Sequence, residues 1–415
     1  MRSPCLTAYG VLSWLLLPWA PPLLRRRLAR GKEHPRRWRE KLGQATARRP
    51  EGLLVWCHAV GLGEVLALRG LIAELSRLRP DVQFLVTSTA SSSAKVLAAN
   101  LPPRTQHQFL PLDAPPYLRR FFAHWRPALS IWAEQDLWPG AVAAAARRSI
   151  PLAMVNARLS GASHRRRHRL RCLYAPLLQR FALVSAQDTT SAACLRSLGA
   201  PAVRVDGSLK PFAPALKADP AELSRLQGRL AGRRIWVAAS THPADEAEAI
   251  AAQRQLPGWL LILVPRDPTR GDAIGAELAA AGLPAARRSR GELPGPGQTV
   301  WLADSYGELG LWYRLASVAL VGGGFDRIGG HNPWEPVALG AAVLHGPDVA
   351  NFSADYAMLD AAAAASCVSP GALAETLRSL DAAAQAKRAT DLLAELQGRI
   401  RPLAHTLADL IPVAP

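Results

Sequence analysis

The sequence predicts an α/β protein of two doubly wound domains that face a cleft, preceded by an N-terminal membrane anchor segment. Short apolar runs alternate with longer amphipathic stretches along most of the 415 residues, as expected of strands that alternate with helices in a parallel sheet. The alternation lapses across residues 211–232, where Pro211, Pro214 and Pro220 interrupt it, and then restarts. A chain of this length and nearly half apolar can build two cores of ordinary size.

The N-terminus holds most of the charge asymmetry. Residues 1–50 carry twelve Lys or Arg against Glu33 and Glu40, a balance of +10 within the +18 of the whole chain. Residues 6–24 bear no charge and are followed at once by Arg25, Arg26, Arg27, Arg30 and Lys32. Apolar then basic is the reverse of a cleaved signal peptide and predicts an anchor with its arginines on the cytoplasmic side. The nineteen-residue run is just long enough to span hydrocarbon, while Pro18, Pro21 and Pro22 favour shallow entry; both readings stand. Cys5, Cys57, Cys172, Cys194 and Cys367 are odd in number and form no C-x-x-C pair, so buried thiols in a reducing cytosol are expected, with no disulfide framework and no zinc site.

Strands are predicted at 53–57, 82–87, 128–132, 152–156 and 183–186 in a first domain spanning 51–210. After a linker at 211–232, strands at 235–239, 260–264, 300–303, 318–321 and 342–344 belong to a second domain spanning 233–415. The alanine-rich pieces 141–146 and 361–365 read as helix formers. In each sheet the turns at the strand carboxyl ends are the expected ligand positions.

After the first strand comes His58-Ala59-Val60-Gly61-Leu62-Gly63-Glu64, whose glycines allow a tight turn into a helix with Glu64 in its first turn. Glu64 is either a general base or a complement to the helix dipole. Glu134-Gln135-Asp136-Leu137-Trp138-Pro139 adds further carboxylates after the strand at 128–132, either for catalysis and binding or as helix caps. His164 to Arg171 is a basic run without interleaved aromatics, which suits a solvated face near acidic lipid head groups and disfavours nucleic acid. Gly207-Ser208-Leu209-Lys210 closes the first half, and Lys210 is a candidate for an anionic ligand.

In the second half, Ser240, Thr241 and His242 end a strand just before Asp245 and Glu246 open a helix, either a phosphate-facing turn or a simple cap. Arg266 in Pro265-Arg266-Asp267-Pro268 is placed to grip a phosphate, unless it pairs with Asp267 or Asp272. The stretch from Gly322 to Pro336 puts five glycines in nine residues after an apolar strand, so backbone N–H groups are expected to face an anion. His331, Asn332 and Glu335 follow, with Asn332 and Glu335 open to two readings, ligand contacts or a capping box. The glycines lack dinucleotide-fingerprint spacing, no P-loop is present, and no metal-ligand spacing occurs.

These motifs, with Val155-Asn156-Ala157-Arg158-Leu159-Ser160 and Gly307-Glu308-Leu309-Gly310-Leu311-Trp312-Tyr313, stand in an order that resembles the 3-deoxy-D-manno-octulosonic acid (Kdo) transferase family over nearly the whole chain. The resemblance implies a GT-B fold and inverting, metal-independent transfer of Kdo from CMP-Kdo to the lipid A precursor, with no cofactor, at the cytoplasmic face of the inner membrane. It implies Glu64 as general base and Glu134 as a supporting carboxylate. Lys210, Ser240, Thr241, Arg266, Gly329, Gly330, Asn332 and Glu335 would serve the donor, and Gly61, Gly63, Gln135 and Asp136 the acceptor. The implied partners are CMP-Kdo, the lipid A precursor and the phospholipid surface. The sequence departs from the family pattern at Gly61, Gln135-Asp136, Gly140, Ser208 and Asp267. A UDP-sugar-dependent GT-B transferase or epimerase and a non-catalytic membrane-surface module are the rival readings.

Overall fold

The structure, a computed structural model, describes residues 3–89, 101–134 and 137–413. Among these residues the chain forms two compact α/β units, Met1–Pro214 with Leu396–Pro415, and Ala215–Glu395.

The first unit is built on a seven-stranded parallel sheet of β1 (Leu53–His58), β2 (Val82–Ser88), β3 (Thr105–Phe109), β4 (Leu129–Ala133), β5 (Leu152–Ala157), β6 (Leu183–Ala186) and β7 (Val203–Val205). Its order is β3-β2-β1-β4-β5-β6-β7. Successive side chains point to opposite faces, so Leu54 and Trp56 join a core with Phe121, Trp125 and Trp132, while Val55 and Cys57 join another with Leu68 and Leu71. Burial on both faces is why these strands read as continuous apolar runs.

The second unit repeats the principle with β8 (Arg234–Thr241), β9 (Trp259–Pro265), β10 (Ala285–Arg287), β11 (Val300–Leu302), β12 (Val318–Val321), β13 (Ala342–His345) and β14 (Ala365–Cys367), all parallel in the order β10-β11-β9-β8-β12-β13-β14. Trp236 and Ala238 face one core, and Ile235, Val237 and Ala239 face the other.

The structure differs from the expected domain limits in two places. The stretch expected to be a linker contains the helix Pro220–Arg229, started by Asp219, whose carboxylate accepts the Ala221 and Glu222 N–H groups. The end of the chain returns to the first unit because Ile400, Leu403, Leu407 and Ile411 bury against its sheet. The second alanine-rich piece is also not a continuous helix. The helix Ser353–Ala361 stops, Ala363 turns at a φ of 49°, and β14 begins at Ala365.

The prolines expected to break the N-terminal apolar run do divide it. Residues 6–24 break into a helix Pro4–Leu12, a tight turn Ser13–Leu16 and a second helix Ala20–Ala29, in which Pro21 and Pro22 stand at the start, where their missing N–H groups cost nothing. Among the described residues no helix is long and apolar enough to cross a membrane. The segment nevertheless exposes Val11, Leu12, Trp14, Leu15, Leu16, Trp19 and Leu23, with Trp19 at 72%. The first helix is fastened to its unit by a Cys5–Cys172 disulfide, by Ser3 Oγ donating to Cys172 O at 2.9 Å, and by Tyr9 Oη donating to Asp113 Oδ2 at 2.7 Å. The disulfide overturns the expectation of thiols throughout; its partners lie 167 residues apart, a separation at which no local motif marks them.

Candidate functional site

In a parallel sheet all strand carboxyl ends lie along one edge, and a crevice opens where the strand order reverses. In the first unit that point lies between β1 and β4. The turn after β1 leads to Glu64, and the turn after β4 begins with Glu134, so the two carboxylates flank the reversal.

Glu64 sits in the first turn of the helix Leu62–Leu78, where the helix dipole favours a negative charge. Its Oε2 accepts the Val60 N–H at 2.9 Å, which ties the carboxylate back over the turn. A Cβ on Gly61 would stand 3.2 Å from Glu64 Oε1, so glycine at this position gives the carboxylate room. Gly63 follows in the same first turn.

Glu134 adopts a φ of 59°, a left-handed conformation that costs a non-glycine residue on the order of 1–3 kcal/mol and persists only where its surroundings enforce it. Here its N–H donates to Val155 O at 2.8 Å, and Asn156 Nδ2 donates to Glu134 Oε1 at 3.5 Å. Asn156 is itself left-handed at 57°, and its Oδ1 accepts the Leu209 N–H at 2.9 Å. The next residue, Lys210, begins a tight turn to Phe212. Asn156 thus connects the Glu134 turn with the Lys210 segment, a link the sequence motifs alone do not reveal. Gln135 and Asp136 lie outside the described residues. The departure at Gly140 has a local reason: Asp113 accepts the Gly140 and Ala141 N–H groups, and a Cβ on Gly140 would come within 2.7 Å of Asp113 Oδ1. His58 is fully buried, and burial holds its ring down to about 3, so it is a neutral core group bonded to Thr87.

In the second unit the order reverses between β8 and β12. The turn after β8 carries Ser240, Thr241 and His242, and the turn after β12 is the glycine-rich stretch. Ser240 makes a bulge with a φ of 57°. A Cβ on Gly322 would lie 2.5 Å from Ser240 O, so the two turns approach as closely as they do only because residue 322 is glycine.

The N–H groups of Gly322, Gly323, Gly324 and Gly330 do not face outward, contrary to expectation. The fully buried Asp245 carboxylate accepts those of Gly323 at 2.7 Å, Gly324 at 3.2 Å and Phe325 at 3.2 Å, as well as that of His242 at 2.9 Å. The Gly330 N–H is likewise used, donating to Gly323 O, while the Gly329 carbonyl accepts from the Asn351 N–H. Thr241 is buried, and its hydroxyl donates to Glu246 at 3.3 Å, so that side chain supports the turn from within. In the sequence Asp245 stands only as the third residue of a helix, because its glycine partners lie about eighty positions away.

Asn332 and Glu335 do not form the capping box that was one of their readings. The short helix Trp334–Val337 starts from Pro333, and Asn332 Oδ1 accepts the Trp334 N–H two residues on. Its Nδ2 donates to Glu335 Oε1 at 3.4 Å. Burial raises the Glu335 carboxyl above its usual range, partly offset by Asn332 and by the Arg266 charge.

Arg266 is exposed directly after β9. The pairing alternative fails, since Asp267 caps the next turn through the Thr269 N–H and hydroxyl, and Asp272 bonds Arg287. Glu246 is instead paired with Arg270, at 2.6 Å. His242 and His331 meet across the reversal point with their Nε2 atoms 2.9 Å apart. Burial and the Arg266 charge hold His331 down to about 4.

Comparison with known proteins assigns these features to a lineage. The family model described as 3-deoxy-D-manno-octulosonic-acid transferase (kdotransferase) matches residues 36–213. The chain is 37% identical over 368 residues to a 3-deoxy-D-manno-octulosonic acid transferase of Bordetella pertussis, covering 86% of this chain and 83% of that protein. It is 33% identical over 345 residues to the Rickettsia bellii protein of the same name, covering 82% of each. A probable mitochondrial 3-deoxy-D-manno-octulosonic acid transferase of Arabidopsis thaliana is 34% identical over 358 residues, covering 83% of this chain and 80% of that protein. Among solved structures, a glycosyltransferase of Rickettsia africae superposes with a TM-score of 0.55 at 11% identity, covering 87% of this chain and 99% of that one. A UDP-GlcNAc 2-epimerase of Neisseria meningitidis gives 0.52 at 12% identity, covering 83% and 99%. These two likenesses concern the fold alone.

Proposed function

The chain belongs to the 3-deoxy-D-manno-octulosonic acid (Kdo) transferase family of glycosyltransferases, and from that premise we propose that it moves Kdo from CMP-Kdo to the lipid A precursor, lipid IVA, with inversion at the anomeric carbon. Glu64 is the general base. It takes the proton of the acceptor hydroxyl as that oxygen attacks the anomeric carbon, the bond to the CMP phosphate breaks, and its electron pair leaves with the phosphate. Glu134 supports the acceptor beside it, with Gly61, Gly63, Gln135 and Asp136 forming the rest of the acceptor face. Arg266 offsets the charge that grows on the phosphate, with Ser240, Gly329 and Lys210 on the donor and Asn332 and Glu335 on the nucleoside. No metal takes part.

The observation that supports this reading most is the position of Glu64 and Glu134 on either side of the strand-order reversal in a chain with these relatives. The test is transfer from CMP-Kdo to lipid IVA by the purified protein, with Glu64→Gln as the control that should lose transfer and keep CMP binding.

The enzyme works at the cytoplasmic face of the inner membrane. It lies on the phospholipid surface through the apolar side chains of residues 11–23, with the arginines that follow on acidic head groups. The helix Gly161–Arg169, which carries much of the second basic run, adds to that attraction.

A further inference from the structure

The contact between His242 and His331 restricts where their protons can be. Two ring nitrogens 2.9 Å apart attract only if one carries a hydrogen and the other is bare. His242 precedes the helix Pro243–Arg254, and its backbone N–H donates to the Asp245 carboxylate at 2.9 Å. Of the two arrangements this contact allows, the one with the hydrogen on His242 Nε2 leaves a donor on the outer edge of the pair, as an anionic ligand requires. His331 Nε2 is then the acceptor, and the neutral His331 ring carries its hydrogen on Nδ1. The Cδ2 edge of His331 is set against Gly323, 3.3 Å from where a Cβ would stand. Among the described residues Nδ1 has no hydrogen-bond partner, and it is not among the buried unpaired atoms, so it opens to solvent.

We propose that His331, oriented from behind by His242, is a donor-binding residue whose neutral Nδ1–H gives a directed hydrogen bond to an anionic oxygen of the nucleotide phosphate. The proposal rests on the reading of the second unit as the CMP-Kdo side.

The groups that face the His331 ring are Arg266 from the turn after β9, and His242 and Asp245 from the turn after β8 and the helix it opens. A second proton on His331 would place hydrogens on both facing nitrogens, a cost that acts with burial and the Arg266 charge to keep that ring neutral. Arg266 and His331 therefore divide the work on a phosphate. The arginine supplies charge, and the imidazole supplies a donor of fixed direction that adds none. The Arg side chain is exposed, whereas the ring is held at two edges.

The test is calorimetric titration of CMP into the full chain and into His331→Ala, His331→Gln, His242→Ala and the double alanine variant, at pH 6, 7 and 8. His331→Ala should weaken CMP by roughly 10- to 150-fold, the scale of one hydrogen bond to a charged group, and His331→Gln, which keeps an N–H donor, should recover part of it. His242→Ala should weaken CMP by roughly 2- to 5-fold alone and add almost nothing once His331 is gone, because it acts through that ring. The ratio of wild-type to His331→Ala affinity should stay constant across the three pH values. A ratio that grows as pH falls would mean an imidazolium and overturn the neutral assignment. Wild-type binding of CMP with His331→Ala unchanged would overturn this proposal alone, whereas no binding of CMP by the wild type would overturn the donor reading and this proposal together.

Discussion

Replacing Asp245 by alanine removes one carboxylate on which four backbone N–H groups converge, those of His242, Gly323, Gly324 and Phe325. The Gly323 and Gly324 groups are buried, and each left without an acceptor costs about 1–3 kcal/mol. The other two are only partly buried and regain water, at about 0.5–1 kcal/mol each. Neighbouring losses are not fully additive, so the expected destabilisation of the second unit is about 3–6 kcal/mol. That is a large part of the ~5–15 kcal/mol that holds a typical domain folded. The turn after β12 would also lose the tie that fixes it beside Ser240, so CMP binding should fall even where the variant remains folded. Urea unfolding followed by tryptophan fluorescence, paired with CMP calorimetry, measures both. The first unit shares none of these bonds, so its transition should not move. A shift below about 1 kcal/mol with CMP affinity intact would refute the assignment of Asp245 as the post that holds the glycine turn.

Three further outcomes are expected. Arg266→Ala should weaken CMP by about 1.5–3 kcal/mol, the scale of a lost charge-assisted hydrogen bond, and calorimetry showing unchanged affinity would make Arg266 merely structural. His58 has a folded-state pKa depressed to about 3, so between that value and its ordinary ~6.5 the unfolded chain binds more protons. Stability from His58 is therefore complete above pH ~6.5 and is lost as pH falls, by up to about 1.4 kcal/mol per pH unit, and in denaturant titrations at pH 5 to 7 His58→Gln should flatten that slope. At the membrane, Leu15→Glu with Trp19→Glu should cut sedimentation with anionic vesicles several-fold, and salt should weaken what remains; equal sedimentation would remove the proposed surface.

The ten strands expected from apolar runs are all present, and the four that escaped sequence reading, β3, β7, β10 and β14, are the four sheet edges. An edge strand buries less of itself. In β7 no residue is fully buried and in β10 only Ala286 is, so neither sequence carries a continuous apolar run, whereas β4 and β12 are buried throughout. Glycine punctuation located both turns at the reversal points, but not what their atoms do. The N–H groups after β12 looked available to a ligand because Asp245 is far away in sequence, and the same distance hid the bond from Asn156 to Leu209 and the Cys5–Cys172 pairing. The N-terminal run was legible as apolar, while its division into two helices depended on prolines that begin the second helix as readily as they break a longer one.

Glu64 at the first reversal point is proposed as the base that drives Kdo transfer from CMP-Kdo. The most direct measurement is mass analysis of lipid IVA after incubation with CMP-Kdo and either wild-type protein or Glu64→Gln, with CMP affinity measured on both. Base catalysis by Glu64 predicts Kdo-bearing lipid with the wild type, a loss of at least about a hundredfold in rate with Glu64→Gln, and nearly equal CMP affinity, because a base acts in the transition state and not in nucleotide binding. Near-normal transfer by Glu64→Gln, or no transfer by the wild type under conditions in which a known Kdo transferase is active, would contradict it.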